Sequence, residues 1–287
     1  MFSEFTREIR GNTSIWIEPQ LVGSTLMDRL ADPDRLLADG ACEIVKDQKK
    51  ITVGRITVEG VSAPCTIYIK RYNVFSLRHR LVSPFIISGA LRALHGATVL
   101  RHCNIPSAVP LAAVERRDWG VLAKSFFISE EITGGKTVDA YWRDDLRLLP
   151  GAAGVRQRRD FLIRLGQLFQ MLHGREIYHN DLKDANILAA PRQQTTAFFL
   201  LDLEGVRQYV RLSEKRRLKN LVQLHRTLGR YLRGPDKLVV LKHYLGNSFA
   251  ERSIRRHWIK KVLRQSDRLN RAKAASAQIA VNDFTVL

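Results

Sequence analysis

The segment from Arg158 to Asp202 constrains the fold more than any other part of the chain. Phe161, Leu162, Leu165, Leu168, Phe169 and Leu172 recur at the spacing of an amphipathic helix over Arg158 to His173. A loop comes next, His179-Asn180-Asp181-Leu182-Lys183-Asp184-Ala185-Asn186-Ile187-Leu188. After a turn over Pro191 to Thr196, the apolar strand Ala197-Phe198-Phe199-Leu200-Leu201 ends in Asp202-Leu203-Glu204-Gly205. His-x-Asp with an Asn five positions beyond the Asp arises by chance roughly once in 30 chains of this length, so the loop alone decides little. The preceding helix, the following strand and its terminal carboxylate make coincidence a poor account.

That arrangement is the one phosphoryl transfer requires. A carboxylate must orient the attacking hydroxyl and accept its proton, and oxygen ligands must hold the Mg²⁺ that neutralises the phosphates. Asp181 is the candidate base, and Asn186 and Asp202 are the candidate metal ligands. Lys183 is a candidate for stabilising charge on the transferring group, although a surface role fits it equally. The ring of His179 is expected to hold the loop by hydrogen bonds rather than carry a proton.

Upstream, three runs rich in β-branched and aromatic residues read as antiparallel strands: Cys42 to Lys46, Ile51 to Val58 and Cys65 to Tyr72. Lys70 ends the third, in the context expected of a lysine that grips the α- and β-phosphates of ATP. A helix over Ser88 to Arg101 and two further extended runs, Leu111 to Glu115 and Val121 to Ile132, complete a small sheet with one helix. Glu131 and Ile132, where sheet gives way to helix, complete the candidate nucleotide-binding set with Lys70, Asn186 and Asp202. The fold class is α+β, a protein-kinase-like two-lobe fold. Residues 1–40 are expected to form an N-terminal extension packed on the N-lobe and 41–132 the nucleotide-binding sheet. Residues 133–273 are expected to form a helical lobe with helices over Ser213 to Tyr231, Pro235 to Tyr244 and Ala250 to Arg271, and 274–287 a poorly packed tail.

Two parts common in such folds are absent. No Gly-x-Gly-x-x-Gly lies between the first two strands, where Asp47-Gln48-Lys49-Lys50 makes the turn; Lys49 or Lys50 is the candidate substitute over the nucleotide. The only acidic residues between Lys70 and Ser129 are Glu115 and Asp118, neither on the Ser88 to Arg101 helix, so the usual lysine-to-helix carboxylate pair cannot form. Asp202 or Glu204 is then the expected partner of Lys70.

Composition narrows the setting. Cys42, Cys65 and Cys103 match no zinc or disulfide spacing, which points to a reducing compartment. The N-terminus lacks a signal-peptide pattern, and the apolar window Leu81 to Leu100 is broken by Arg92, His95 and Pro84, so cytoplasmic residence with at most peripheral membrane contact is expected. Val206 to Lys273 holds 20 Lys and Arg against 4 Asp and Glu, supplying 16 of the net charge of +19. Such a block attracts nucleic acid, anionic lipid or phosphorylated glycans, unless it is only a set of solvated helix faces.

The residues after Asp202 narrow the acceptor. Only about ten of them precede a helix whose expected N-cap is Ser213, and no Ala-Pro-Glu occurs, so no peptide-holding segment is present and a protein substrate is disfavoured. The sequence resembles the lipopolysaccharide kinase family, bacterial enzymes that phosphorylate Kdo or heptose in the inner core. The resemblance runs from about Ile44 to Arg264. It rests on Val45-Lys46-Asp47, Ile69-Lys70-Arg71-Tyr72-Asn73, Asn104-Ile105-Pro106, Pro110-Leu111-Ala112, Tyr178-His179-Asn180-Asp181-Leu182, Asn186-Ile187-Leu188 and Leu200-Leu201-Asp202. It implies ATP and Mg²⁺ as cofactors, Asp181 as base, Asn186 and Asp202 on the metal, Lys70 on phosphate, and work at the cytoplasmic face of the inner membrane. An anionic glycolipid acceptor gives the basic block a use, with Arg207, Arg211, Arg216 and Arg217 as candidate acceptor-binding residues; nucleic acid is disfavoured.

Two other readings stand beside it. The His-Asn-Asp-Leu loop is also similar to choline and aminoglycoside phosphotransferases, whose cationic substrates would call for an acidic pocket. A non-catalytic nucleotide-binding module with a basic lobe is the other, against which intact Asp181, Asn186 and Asp202 argue.

Overall fold

The computed structural model describes residues 2–60, 63–73, 83–192 and 195–284. The centres of two expected turns, 61–62 and 193–194, and the last three residues of the expected tail lie outside the described residues. The chain forms two compact units, Met1–Gly134 with Phe199–Arg207, and Gly135–Phe198 with Gln208–Leu287.

The first unit is built on a seven-stranded sheet: β1 (Thr6–Arg10), β2 (Thr13–Ile17), β3 (Glu43–Gln48), β4 (Ile51–Val58), β5 (Cys65–Asn73), β6 (Pro110–Asp118) and β7 (Val121–Glu130). Every neighbouring pair is antiparallel, in the order β1-β2-β6-β7-β5-β4-β3. Period-2 alternation sends Ile15, Ile17, Ile56, Val58, Ile67, Ile69, Val114, Phe126 and Ile128 to one face. There they bury against Leu26, Met27 and Leu30 of α1 (Thr25–Leu30) and Leu36 and Leu37 of α2 (Pro33–Leu37). Each such side chain contributes about 1.5–3 kcal/mol of transfer free energy when fully buried.

The expected N-terminal extension thus adds two strands to the sheet and closes one of its faces. Both strands are five residues long and β1 carries Arg7, Glu8 and Arg10, which hides the alternation that a longer half-buried strand would display.

On the other side α3 (Gly89–His102) packs against β6, β7 and the Leu203–Gly205 turn. Its N-cap is Ser88, whose hydroxyl accepts the Leu91 N–H at 3.2 Å. It stops at Asn104, at φ 49°, with the Ile105 N–H bonded to the Leu100 carbonyl at 2.9 Å. Gly96 is obligatory: a Cβ there would stand 2.1 Å from the Leu203 carbonyl oxygen.

The second unit is mainly helical: α4 (Gly151–Gly174), α5 (Glu214–Arg226), α6 (Gly234–Leu245) and α7 (Arg252–Phe284), with the short strands β8 (Lys136–Thr137), β9 (Ile177–His179), β10 (Ile187–Arg192) and β11 (Thr195–Leu200). Helix α4 begins about two turns before the apolar periodicity does. Helix α7 runs on through most of the expected tail; the Ala-rich run Ala272-Lys273-Ala274-Ala275 has high intrinsic helix propensity without needing an apolar stripe. No described helix is long and apolar enough to cross a membrane.

Candidate functional site

In the first unit Lys70 meets Asp202, while Glu131 is engaged elsewhere. The position of Lys70 on β5, opposite Val53 on one neighbour and Phe127 on the other, is fixed by the ladder. Its ammonium lies 2.5 Å from Oδ1 of Asp202 and 5.0 Å from the centre of the Tyr72 ring. Asp202 sits in the left-handed region at φ 57°, which Asp tolerates better than most residues. Two residues on, the Glu204 carboxylate meets Arg92 of α3 at 3.5 Å. The helix therefore offers a cation to a carboxylate of the turn, the reverse of a lysine on the sheet meeting a carboxylate on the helix.

Tyr72 completes this cluster. Its hydroxyl is buried with no partner among the described residues, and burial, then the Glu204 and Asp202 carboxylates, push its pKa well above the ordinary tyrosine value. The ring leaves no room for a side chain at Gly89, where a Cβ would lie 2.5 Å away.

The turn that stands where a glycine-rich loop would be is tied down by side chains. Asn73 Nδ2 donates to the Gln48 and Lys49 carbonyls at 3.4 Å each, and the Arg71 guanidinium bridges Asn73 at 2.9 Å, Thr52 at 3.1 Å and Asp34 at 3.0 Å. Asp34, also held by Lys124, stays below the usual carboxylate pKa despite the opposing pull of burial. Glu131, at the end of the sheet, forms a two-pronged ion pair with Arg55 at 2.7 and 2.9 Å, and its backbone N–H is taken by the Thr66 carbonyl. Ile132 comes next, partly buried.

In the second unit β9 delivers the chain to the loop. The His179 ring, fully buried, accepts the Asp181 N–H at Nδ1, 3.2 Å, which is the holding role expected of it. Asp181 Oδ2 receives Lys183 Nζ at 2.7 Å and Asn186 Nδ2 at 3.1 Å, while Asn186 Nδ2 also reaches the Asp181 carbonyl at 2.7 Å. With its amide nitrogen so engaged, Asn186 keeps Oδ1 clear of hydrogen bonds from the described residues. That is the donor atom a hard cation would take.

The loop is also held from outside, by a polar face of α5 that the motif itself does not reveal. Asn220 donates to the His179 carbonyl at 2.6 Å; Gln223 donates to the Asn180 carbonyl at 3.0 Å and accepts the Leu182 N–H at 3.1 Å; Thr227 accepts the Asp184 N–H at 3.3 Å. Positions 220 and 223 share one face of α5, and Thr227 is its C-cap. The available signal is polar residues at helical spacing on a face otherwise due to be buried. Asn220 also accepts from His173, whose other ring nitrogen faces Tyr244. Burial lowers His173 to about 4, so the ring is neutral.

The four candidate acceptor arginines are in different circumstances. Arg207 turns back on the Glu204 and Val206 carbonyls at 3.0 and 2.7 Å. Arg217 is paired with Glu176 at 3.4 Å and Arg216 lies 4.1 Å over the Tyr209 ring. Arg211 is exposed beside Val210, which is fully exposed. Glu176 organises this stretch, accepting the Tyr209 N–H on its carbonyl and the Leu212 N–H on its carboxylate.

Residues 42–244 match the model of the lipopolysaccharide kinase (Kdo/WaaP) family. The chain belongs to the lipopolysaccharide kinase family. It is therefore a phosphotransferase acting on an alcohol group, with the lipopolysaccharide core as its field of action. A solved structure described as WaaP in complex with acyl carrier protein is 18% identical and superposes with a TM-score of 0.61, covering 88% of this chain and 97% of that one. That likeness takes in both the antiparallel sheet and the helical part. Among curated sequences no significant relative matches.

Away from the loop, α5, α6 and α7 enclose an apolar groove of about 530 Å³ lined by Leu224, Leu241, Trp258, Val262 and their neighbours. Leu238 and Leu263 stand half exposed at it. Among the described residues no group of three or more His, Cys, Asp and Glu side chains is placed to hold a metal by itself.

Proposed function

We propose that this lipopolysaccharide kinase transfers the γ-phosphate of ATP to a hydroxyl of a Kdo or heptose residue of the inner core, at the cytoplasmic face of the inner membrane. Asp181 accepts the proton of the attacking hydroxyl, and Lys183 stabilises charge on the transferring group. Lys70 binds the nucleotide phosphates, Glu131 and Ile132 border the nucleotide, and Asn186 and Asp202 hold the cation. Bound Mg²⁺ neutralises charge on the phosphates.

The observation that carries this reading is the preorganisation of the loop. Asp181 is fixed by Lys183 and Asn186 and its backbone by His179, so the carboxylate has one orientation to offer a hydroxyl. The donor set fits a hard cation, being a carboxylate and an amide oxygen rather than sulfur or imidazole. Arg211, exposed between two residues whose N–H groups bond Glu176, is the most available of the four arginines for an anionic acceptor.

The test is transfer from labelled ATP to a purified inner-core acceptor with and without Mg²⁺, in the wild type and in Asp181→Ala. Loss of transfer in the variant with unchanged ATP binding supports the assignment; equal transfer by both removes Asp181 from the reaction.

The groove of the second unit supports a further partner. Since the solved relative is described as bound to acyl carrier protein, we propose that an acyl chain borne by such a carrier occupies the Leu224–Trp258 groove here. Leu241→Gln should weaken binding of the acylated carrier and leave the unacylated form as it was; equal loss of both would place the contact elsewhere.

A further inference from the structure

We infer that the end of the seven-stranded sheet carrying Trp119 is the surface by which the protein docks on an anionic bilayer. The inference rests on the proposed function in one respect, that the acceptor is lipid-linked and must be reached at a membrane.

Three hairpin tips lie at this end. In the registers Thr13↔Arg116, Asp118↔Val121, Asn73↔Lys124, Ile51↔Tyr72 and Gln48↔Ile51, the β1–β2, β6–β7 and β3–β4 turns all emerge on the same side. Asn12 ties the first two together by donating to Asp118 at 2.6 Å, and the Asn73 N–H meets the Lys50 carbonyl at 2.9 Å.

Trp119 stands at the tip of the second hairpin. It is 100% exposed, with φ 54°, and Gly120 follows at φ 80°. A two-residue turn with both φ positive favours Asn, Asp or Gly at its first position. A bulky aromatic there gains nothing from packing and adopts a backbone conformation its type avoids. Folding therefore does not account for it, and such outliers point to function. By contrast Trp16 and Trp142 are buried, and Trp258 packs on Tyr244.

Cations flank Trp119. Lys49 is exposed at these tips, as are Arg116, which meets Asp118 at 3.9 Å, and Arg10, which meets Asp28. Of the nearby acids, Glu115 is paired with Arg117, Asp118 accepts from Asn12 and Asp47 accepts from Thr52. Indole rings partition to the headgroup level of bilayers, and cations are drawn to anionic leaflets. An exposed indole flanked by cations suits that surface better than a protein partner, which would need a contiguous apolar area. Lys70 lies three residues from Asn73, about 10 Å along β5, so docking brings the phosphate-gripping end of the sheet to the membrane.

The experiment is flotation of the full chain with phosphatidylcholine vesicles with and without phosphatidylglycerol, comparing wild type with Trp119→Asn. Asn suits the turn, so the variant should unfold at the same temperature or higher. Expected are several-fold weaker flotation of the variant with the anionic vesicles and loss of the blue shift in tryptophan emission that vesicles induce in the wild type. Arg116→Glu should reduce the gain from phosphatidylglycerol. Flotation and emission of Trp119→Asn equal to wild type, or no flotation of the wild type, would overturn the inference. Transfer to a water-soluble, deacylated core oligosaccharide separates docking from catalysis. If the wild type phosphorylates it and Trp119→Asn floats normally, only the docking surface fails; if flotation depends on Trp119 and no transfer occurs, the proposed function fails.

Discussion

Lys70 and Asp202, 132 residues apart in the chain, are joined by a 2.5 Å contact between Nζ and Oδ1. The pair ties the middle of the sheet to the turn after β11 without help from the helix. In the proposed mechanism the two groups separate to take phosphate and cation respectively. Lys70→Met and Asp202→Asn should therefore each lower kcat by on the order of 10²–10³. Asp202→Asn should in addition raise the Mg²⁺ concentration needed for half-maximal rate, whereas Lys70→Met should in addition raise KM for ATP. Titrating Mg²⁺ and ATP separately reads this; identical profiles for the two variants would contradict the division of roles.

Arg92 and Glu204 supply the link between α3 and the Asp202 turn. Arg92→Glu alone places two carboxylates together and should cut kcat, with a stability loss of up to about 1 kcal/mol, the scale of a partly exposed ion pair. Glu204→Arg should act similarly. The doubly exchanged chain should recover most of the activity, and the coupling energy of the double-mutant cycle measures the pair. Additive losses would show that the two residues do not act together.

His173 makes stability depend on pH. It is buried and neutral in the folded chain with a pKa of about 4, against an ordinary value near 6.5. The unfolded chain thus binds the extra proton first as pH falls. Stability is fully present above about pH 6.5 and is lost as pH falls towards 4, by about 3 kcal/mol at most from this group. Thermal unfolding of the wild type and His173→Gln over that window should show a steeper decline in the wild type. Parallel curves would mean that His173 is not the group responsible.

Arg211 and Arg217 should differ although both are basic residues of one short stretch. Arg211→Glu is expected to raise KM for an anionic glycolipid acceptor and leave KM for ATP alone, because the side chain is exposed. Arg217→Glu should instead lower the unfolding temperature, because it faces Glu176 and would set like charges together. Acceptor kinetics and thermal melts of the two variants decide; equal effects on both readouts would argue that the stretch acts only as bulk charge.

Much of this was legible in the sequence because the chemistry is concentrated in short runs. The helix before His179, the strands around Lys70 and the α+β order follow from periodicity, and the absent acidic residue on α3 already pointed to Asp202 or Glu204 as partner of Lys70. Other features depend on contacts between distant segments. β1 and β2 are too short and too charged to announce themselves; β2 becomes a strand by pairing with β6, and β1 by pairing with β2. The clasp of Asn220, Gln223 and Thr227 on the loop joins residues some forty positions apart, which spacing within α5 hints at without naming a target. The basic run after Asp202 reads as uniform charge, yet the fold spends Arg207 and Arg217 on internal partners and leaves Arg211 outward.

The most direct measurement is incubation of the full chain with labelled ATP and Mg²⁺ in the presence of inner-core glycolipid, choline, an aminoglycoside and a basic protein, then identification of the labelled product. Label on a Kdo or heptose hydroxyl of the glycolipid, abolished in Asp181→Ala, is the predicted result. Label on choline, the aminoglycoside or the protein with none on the glycolipid would contradict the account.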